Sequence, residues 1–343
     1  MTMVMQSAIR GVSAGADLDR IQMTDVMRVI MQGDATPAQI GAFLCALHIK
    51  GETVEELTAA AIVTREFAAE VNVASDKVVD TVGTGGDGAG LFNVSTACAL
   101  VAAGAGVTVA KHGNRAATGN SGSADVLEAA GVHIGLTPAQ VGETINQVGV
   151  GFMFAPTHHG AMRHAIGPRR EIGVRTIFNL LGPLTNPAAA RWQLVGVYER
   201  RWIRPLAEAF GNLGSVHTLV VNSSDGLDEI SIADRTAVCE FKVGEITQFE
   251  INPEDYGIRR QPLSLLKAGS ADESLALIRS ALSGEKGPAY DMVALNAGAT
   301  LYAADVVDSL AQGVEKAQSI LDSGVAFRKL EELAAFSQRY VAR

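Results

Sequence analysis

The 343 residues carry 28 Lys and Arg against 37 Asp and Glu, a formal net charge of −9, with 48% hydrophobic and 19% charged side chains. That balance describes a globular chain with a sizeable core, and it opposes a nucleic-acid backbone as main partner, since such affinity comes from clustered basic groups. Cys45, Cys98 and Cys239 are scattered without metal spacing and suit a reducing cytoplasm, and no stretch is long and apolar enough to make a membrane span.

Up to about residue 70 the chain reads as helices only. Thr36-Pro37-Ala38-Gln39 joins an N-cap hydroxyl, a proline at the first helical position and a capping-box glutamine. Ile40, Phe43, Leu44 and Leu47 follow at helical spacing, Gly51 stops the run, and Thr53-Val54-Glu55-Glu56 opens the next helix the same way. From about residue 77 strands alternate with helices, the pattern of an α/β fold with a mostly parallel sheet. Strands are expected at 78–82, 107–110, 151–155, 194–198 and 217–221, followed by an antiparallel pair at 237–242 and 245–251. Helices are expected from Ser95, across 124–130 and after Thr137-Pro138-Ala139-Gln140. Residues 172–181 read as helix of undecided placement, and 271–340 return to helices.

Three polar clusters collect where the first two strands end: Asp80 to Asp87 with its glycines, Asn93-Val94-Ser95-Thr96, and Lys111-His112-Gly113-Asn114-Arg115. Each has a plain alternative, respectively a tight turn, a helix cap and a solvated loop. Their coincidence at the carboxyl edge of a parallel sheet favours a substrate with more than one phosphate, bound by main-chain N–H groups and a helix start. Gly113 and Asn114 suit positive φ. Ser121-Gly122-Ser123-Ala124-Asp125 opens a helix whose N–H groups would face the same anion.

Asp228 and Glu229 follow the fifth strand; adjacent carboxylates are hard ligands suited to Mg²⁺, or an acidic surface turn. His158 and His159 lack a third ligand at usable spacing for zinc. Arg169 and Arg170 either clamp a carboxylate or pair at the surface with Glu171. No nucleophile elbow or catalytic cysteine setting appears, which disfavours covalent catalysis.

In this order the motifs at 80–87, 93–96, 111–115, 121–125, 155–186 and 228–229 resemble the anthranilate phosphoribosyltransferase family over nearly the whole chain. The resemblance implies a helical lobe at 1–72, joined by a helical segment near 168–186, and an α/β lobe at 73–343 similar to pyrimidine nucleoside phosphorylases. It implies a cytoplasmic homodimer, paired through the helical lobe, with neither nucleic acid nor membrane as partner. The implied reaction transfers phosphoribosyl from 5-phosphoribosyl 1-pyrophosphate to the amine of anthranilate, in tryptophan biosynthesis.

Carried over by residue, the phosphoribosyl pyrophosphate site comprises Gly83, Gly86, Asp87, Asn93, Val94, Ser95 and Thr96. It continues through Lys111, His112, Gly113, Asn114, Arg115, Ala116, Ala117, Thr118 and Gly119 to Ser123. Two Mg²⁺ ions are implied, one at Ser95 and one at Asp228 with Glu229. Anthranilate is met by Gly83, His112, Asn114, Ala155, Pro156, His159 and Arg169, and no residue is implied as covalent nucleophile or general base. The chain departs from the family's habits at Leu91, at Ala116, Thr118, Gly119 and Asn120, and at Ser274, where an asparagine is frequent.

Overall fold

The computed structural model describes residues 2–116 and 121–341. Helices Thr2–Ser13, Arg20–Gln32, Pro37–Lys50 and Val54–Glu66 form the N-terminal bundle. Capping boxes start the last three, pairing Asp19 with Gln22, Thr36 with Gln39 and Thr53 with Glu56. Glu56 also accepts from Leu18 N–H at 2.9 Å and from Lys50 Nζ at 3.0 Å, so this buried carboxylate is fully paired.

Two later helices complete the bundle. Arg163–Ile172 packs against the second and third helices, and Phe178–Leu184 covers the fourth. The single helix expected at 172–181 is therefore corrected to a break between two helices. Gly173, at φ +64°, ends the first in the left-handed conformation, and Asn179 Oδ1 accepts Thr176 N–H at 3.0 Å to start the second.

Seven strands form one sheet: β1 (Val78–Gly83), β2 (Thr108–Gly113), β3 (Val150–Phe154), β4 (Trp192–Gly196), β5 (His217–Ser223), β6 (Thr236–Lys242) and β7 (Glu245–Ile251). Their order is β3-β2-β1-β4-β5-β6-β7, parallel from β3 to β5 and antiparallel for β6 and β7. Strand alternation divides the core. Leu194, Leu219, Val221 and Val238 face helices Val94–Gly104 and Pro288–Ala303, whereas Val195, Val197, Val220 and Cys239 share a core with the helical bundle. The chain steps outward from β1 through β2 to β3 and then resumes at β4 on the other flank of β1. That makes the β1/β4 junction a switch point, where a crevice opens at the strands' carboxyl ends.

Candidate active site

β1 leaves the sheet at Gly83, paired in register with Gly196 of β4. A Cβ on Gly83 would collide with the Asp228 carboxylate, and one on Gly196 with the Asp228 main-chain carbonyl. These two bare positions let the segment after β5 fold across the strand ends. Asp228 Oδ2 then accepts Gly85 N–H at 2.7 Å. Thr84 N–H donates to Gly196 O at 2.9 Å, and Thr84 Oγ1 accepts Tyr198 N–H at 3.1 Å. Gly85 and Gly86 sit at φ +67° and +82°, where a side chain would be strained.

Asp87, Asp228 and Glu229 crowd one another here. Burial, then the charge of Asp87, pushes Asp228 up to about 7. Burial, then the charge of Asp228, pushes Glu229 well above the ordinary carboxylate range, with Lys111 and Ser95 N–H pulling the other way. Mutually repelling carboxylates are relieved by a hard cation, and Mg²⁺ fits because it takes few protein carboxylates and keeps positions for water and phosphate. Among the described residues no group of three His, Cys, Asp or Glu side chains is placed to hold a metal ion by itself.

Beneath the loop lies a buried polar knot. Lys111 Nζ donates to Thr81 O at 2.8 Å and to Ser95 Oγ at 3.2 Å. Burial pulls its pKa down, with Asp80 and Glu229 opposing. Asp80, fully buried, is pushed up to about 6 by that burial despite Lys111. It accepts from Asn186 Nδ2 at 2.7 Å and from His112 N–H at 3.3 Å, while Asn186 also donates to Ala110 O at 2.9 Å. The knot joins β1, β2 and the chain after Phe178–Leu184. Asp80 stands in the sequence at the head of the first polar cluster without a role of its own, and Asn186 only as one polar residue in a long motif.

The neighbouring face holds neutral imidazoles. Burial, then His159, holds His112 down at about 3, and burial, then His158, holds His159 at about 4. The His112 and His159 rings lie 5.0 Å apart. His112 Nδ1 faces Gly182 O at 3.2 Å, which assigns the proton to Nδ1. Nε2 of both His112 and His159 is buried without a partner among the described residues. Ala155 and Pro156 open the short helix Ala155–His158 at this same edge, directly after β3. Arg169, in the last turn of Arg163–Ile172, lies over the Phe178 ring at 5.2 Å, and burial lowers its pKa. No ion pair engages its guanidinium among the described residues.

Asn93 occupies the N-cap position of Val94–Gly104 without a side-chain cap bond and is itself held by the late helix Ala271–Leu282: its N–H donates to Ser274 Oγ at 2.9 Å, and its Nδ2 to Ser121 O at 3.2 Å. The side chain of Val94 is in the sheet core, and Thr96 Oγ1 is buried without a partner among the described residues.

Two expectations need correction. Gly113 and Asn114 do not adopt positive φ; Gly113 is bare because a Cβ would collide with Ser123 Oγ and crowd Phe152 at 2.7 Å. The N–H of Gly122 does not face an anion, since Asp125 Oδ2 takes it at 2.8 Å together with Ala116 N–H at 3.2 Å. Arg115 turns onto the helix Ser123–Ala129, paired with Asp125 at 2.7 Å and Glu128 at 2.5 Å. Ala117, Thr118, Gly119 and Asn120 lie outside the described residues. Arg175 carries no assigned role in the sequence, yet its guanidinium donates to Gly86 O and lies over the Tyr198 ring at 4.0 Å. The only sequence signal for it was a basic residue just beyond the helix-ending Gly173.

Two family models match the chain: a glycosyl transferase family helical bundle domain over residues 6–68 and a glycosyl transferase family a/b domain over residues 75–327. The anthranilate phosphoribosyltransferase of Thioalkalivibrio sulfidiphilus is 57% identical, covering 98% of this chain and 99% of its own. That of Alkalilimnicola ehrlichii is 58% identical over 96% and 97%. The crystal structure of the Thermus thermophilus enzyme of that name superposes with a TM-score of 0.92 at 46% identity, covering 96% of this chain and 99% of that one. The Saccharomyces cerevisiae enzyme in complex with PRPP and Mg gives a TM-score of 0.90 at 26% identity, with 99% of each chain covered.

Proposed function

The chain belongs to the anthranilate phosphoribosyltransferase family, and on that premise we propose that it transfers phosphoribosyl from 5-phosphoribosyl 1-pyrophosphate to the amine of anthranilate. The products are N-(5-phosphoribosyl)anthranilate and pyrophosphate, in tryptophan biosynthesis. The observation that carries the reading is the trio Asp87, Asp228 and Glu229 set against the main-chain amides of the glycine loop at the β1/β4 switch point. Carboxylates beside N–H donors form a place for a metal-bound diphosphate rather than for a bare anion.

Ser95 and the pair Asp228 and Glu229 would hold two Mg²⁺ ions. A divalent cation there supplies positive charge to the oxygens of the departing pyrophosphate. The chain's own groups do the rest. The Gly86 and Asp87 amides and the start of Val94–Gly104 donate to the diphosphate, and Lys111 keeps a positive charge beside Ser95. Arg169 holds the anthranilate carboxylate in a two-pronged grip. His112 and His159, held neutral, do not compete for the carboxylate, and His112, with its proton on Nδ1, keeps an Nε2 lone pair. The aniline nitrogen is a free base at neutral pH, so orientation toward the ribose C1 matters more than deprotonation. As its lone pair forms the C–N bond, the C1–O bond breaks with inversion, its electron pair leaving on pyrophosphate, and the surplus amine proton passes afterwards to water.

The assembly proposed with this reading is a homodimer through the helical lobe, where Met3, Ile21 and Ile49 are exposed. Incubation with anthranilate, phosphoribosyl pyrophosphate and Mg²⁺ should quench anthranilate fluorescence, and chelation should abolish the loss. Unchanged fluorescence at saturating substrates refutes the assignment.

A further inference from the structure

We propose that Arg175 is a positioning residue: it sets the conformation of the phosphate loop and ties that loop to the segment carrying Arg169. The inference rests on the functional reading above for its kinetic arm only. Arg175 belongs to the short link between helices Arg163–Ile172 and Phe178–Leu184, which is pinned at one end by left-handed Gly173 and at the other by the Thr176–Asn179 cap. From this fixed base the guanidinium reaches across to the other lobe. It donates to the Gly86 carbonyl, lies over Tyr198 at 4.0 Å from the ring centroid, and stands 3.6 Å from Glu199.

The contact acts through the geometry of a peptide unit. In a trans peptide the C=O of one residue and the N–H of the next point in opposite directions. Holding the Gly86 carbonyl toward Arg175 therefore aims the Asp87 N–H the other way. Gly86, at φ +82°, has no side chain to resist rotation of that unit, so an outside tether is what selects one orientation. The same corner controls the preceding residue, because Tyr198 N–H donates to Thr84 Oγ1. Thus Thr84 and Gly86 are both tethered at the Tyr198 corner, while Asp228 takes the Gly85 N–H between them. A planar fork over a ring, with one N–H on a carbonyl, suits arginine and does not suit lysine. Arg169 lies in the last turn of the helix that Gly173 terminates, so the tether also joins the proposed carboxylate grip to the diphosphate cradle.

The test has two arms. In ligand-free protein, amide hydrogen exchange over residues 83–90 should quicken about tenfold in Arg175→Ala and in Tyr198→Leu, the loss expected of one charged hydrogen bond with its ring contact. Tyr198→Phe, which keeps the ring, should match the wild type, and Arg175→Lys should fall between. In steady-state kinetics the KM for phosphoribosyl pyrophosphate should rise about tenfold in Arg175→Ala, with kcat changed far less and partial recovery in Arg175→Lys. Unchanged loop exchange in Arg175→Ala overturns the proposal, as does a fall in kcat at constant KM, which would put the guanidinium on reacting atoms. If Arg175→Ala does not fold, Tyr198→Leu against Tyr198→Phe decides the matter alone. The exchange arm needs no substrate, so an inactive wild type refutes the assigned reaction while leaving the tether decided either way.

Discussion

Replacing Arg169 by alanine should weaken anthranilate capture and little else. Its guanidinium is half-buried over Phe178 at 5.2 Å, and no carboxylate of the described chain pairs with it. Truncation therefore strands no buried partner, and the stability cost is the ring contact alone, about 0.5–1 kcal/mol. The binding cost is larger. A charge-assisted hydrogen bond to a carboxylate contributes about 1.5–3 kcal/mol, which corresponds to a rise of roughly 10- to 150-fold in the anthranilate KM. Because the guanidinium is already partly dehydrated, the upper part of that range is expected. Arg169→Lys should recover part of the loss, keeping the charge without the fork. Fluorescence-monitored initial rates with each substrate varied would read this directly, with the KM for phosphoribosyl pyrophosphate unchanged. An unaltered anthranilate KM, or a rise confined to the other substrate, refutes the assignment.

Asp80 prefers its proton in the folded state, rising from 3.8 to about 6, so it supports folding most at low pH and that support is lost as pH climbs through 6. Asp80→Asn does not titrate, and its stability relative to wild type should rise by about 2 kcal/mol between about pH 4.5 and about pH 7; parallel urea-denaturation profiles would exclude this. Asp228 is raised to about 7 by burial and Asp87, so above pH 7 the metal-free fold bears the cost of its charge. Asp228→Asn should therefore melt higher than wild type in chelator at pH 8 and lose the stabilisation that Mg²⁺ confers on wild type, as thermal denaturation would show. Gly196→Ala drives a Cβ into the Asp228 main chain and should cost about 1–3 kcal/mol of stability by overpacking while blunting the response to Mg²⁺. Wild-type metal response in that variant would mean the two strands do not position Asp228.

The parts of the fold written in local chemistry were legible in the sequence. Capping boxes at Thr36, Thr53 and Thr137 start helices where the pattern places them, and every expected strand forms within a few residues. The site was legible where polar residues interrupt apolar runs, as at Asp80 and Lys111. What escaped was orientation, which is a tertiary property. Nothing in the stretch around Arg115 announces that Asp125 and Glu128, on successive turns of a neighbouring helix, pair with it. Gly113 reads as a left-handed turn residue, but its bareness answers a collision with Ser123 that no neighbour in sequence announces. Arg175 sits in a short link between helices, and nothing nearby betrays that its target is Gly86, in the other lobe.

Ser274 completes the start of the helix Val94–Gly104 from far along the chain, and the intervening strip 90–92 is stitched to residues 266–268 by Phe92 N–H to Leu266 O at 2.9 Å and Ala268 N–H to Gly90 O at 3.0 Å. A ribosome synthesising this polypeptide from its amino end must therefore release about four-fifths of it before the cradle can close. The emerging chain spends most of its synthesis with the donor half of its catalytic cleft unfinished, and a late truncation that spares every catalytic side chain would still leave an incompetent enzyme.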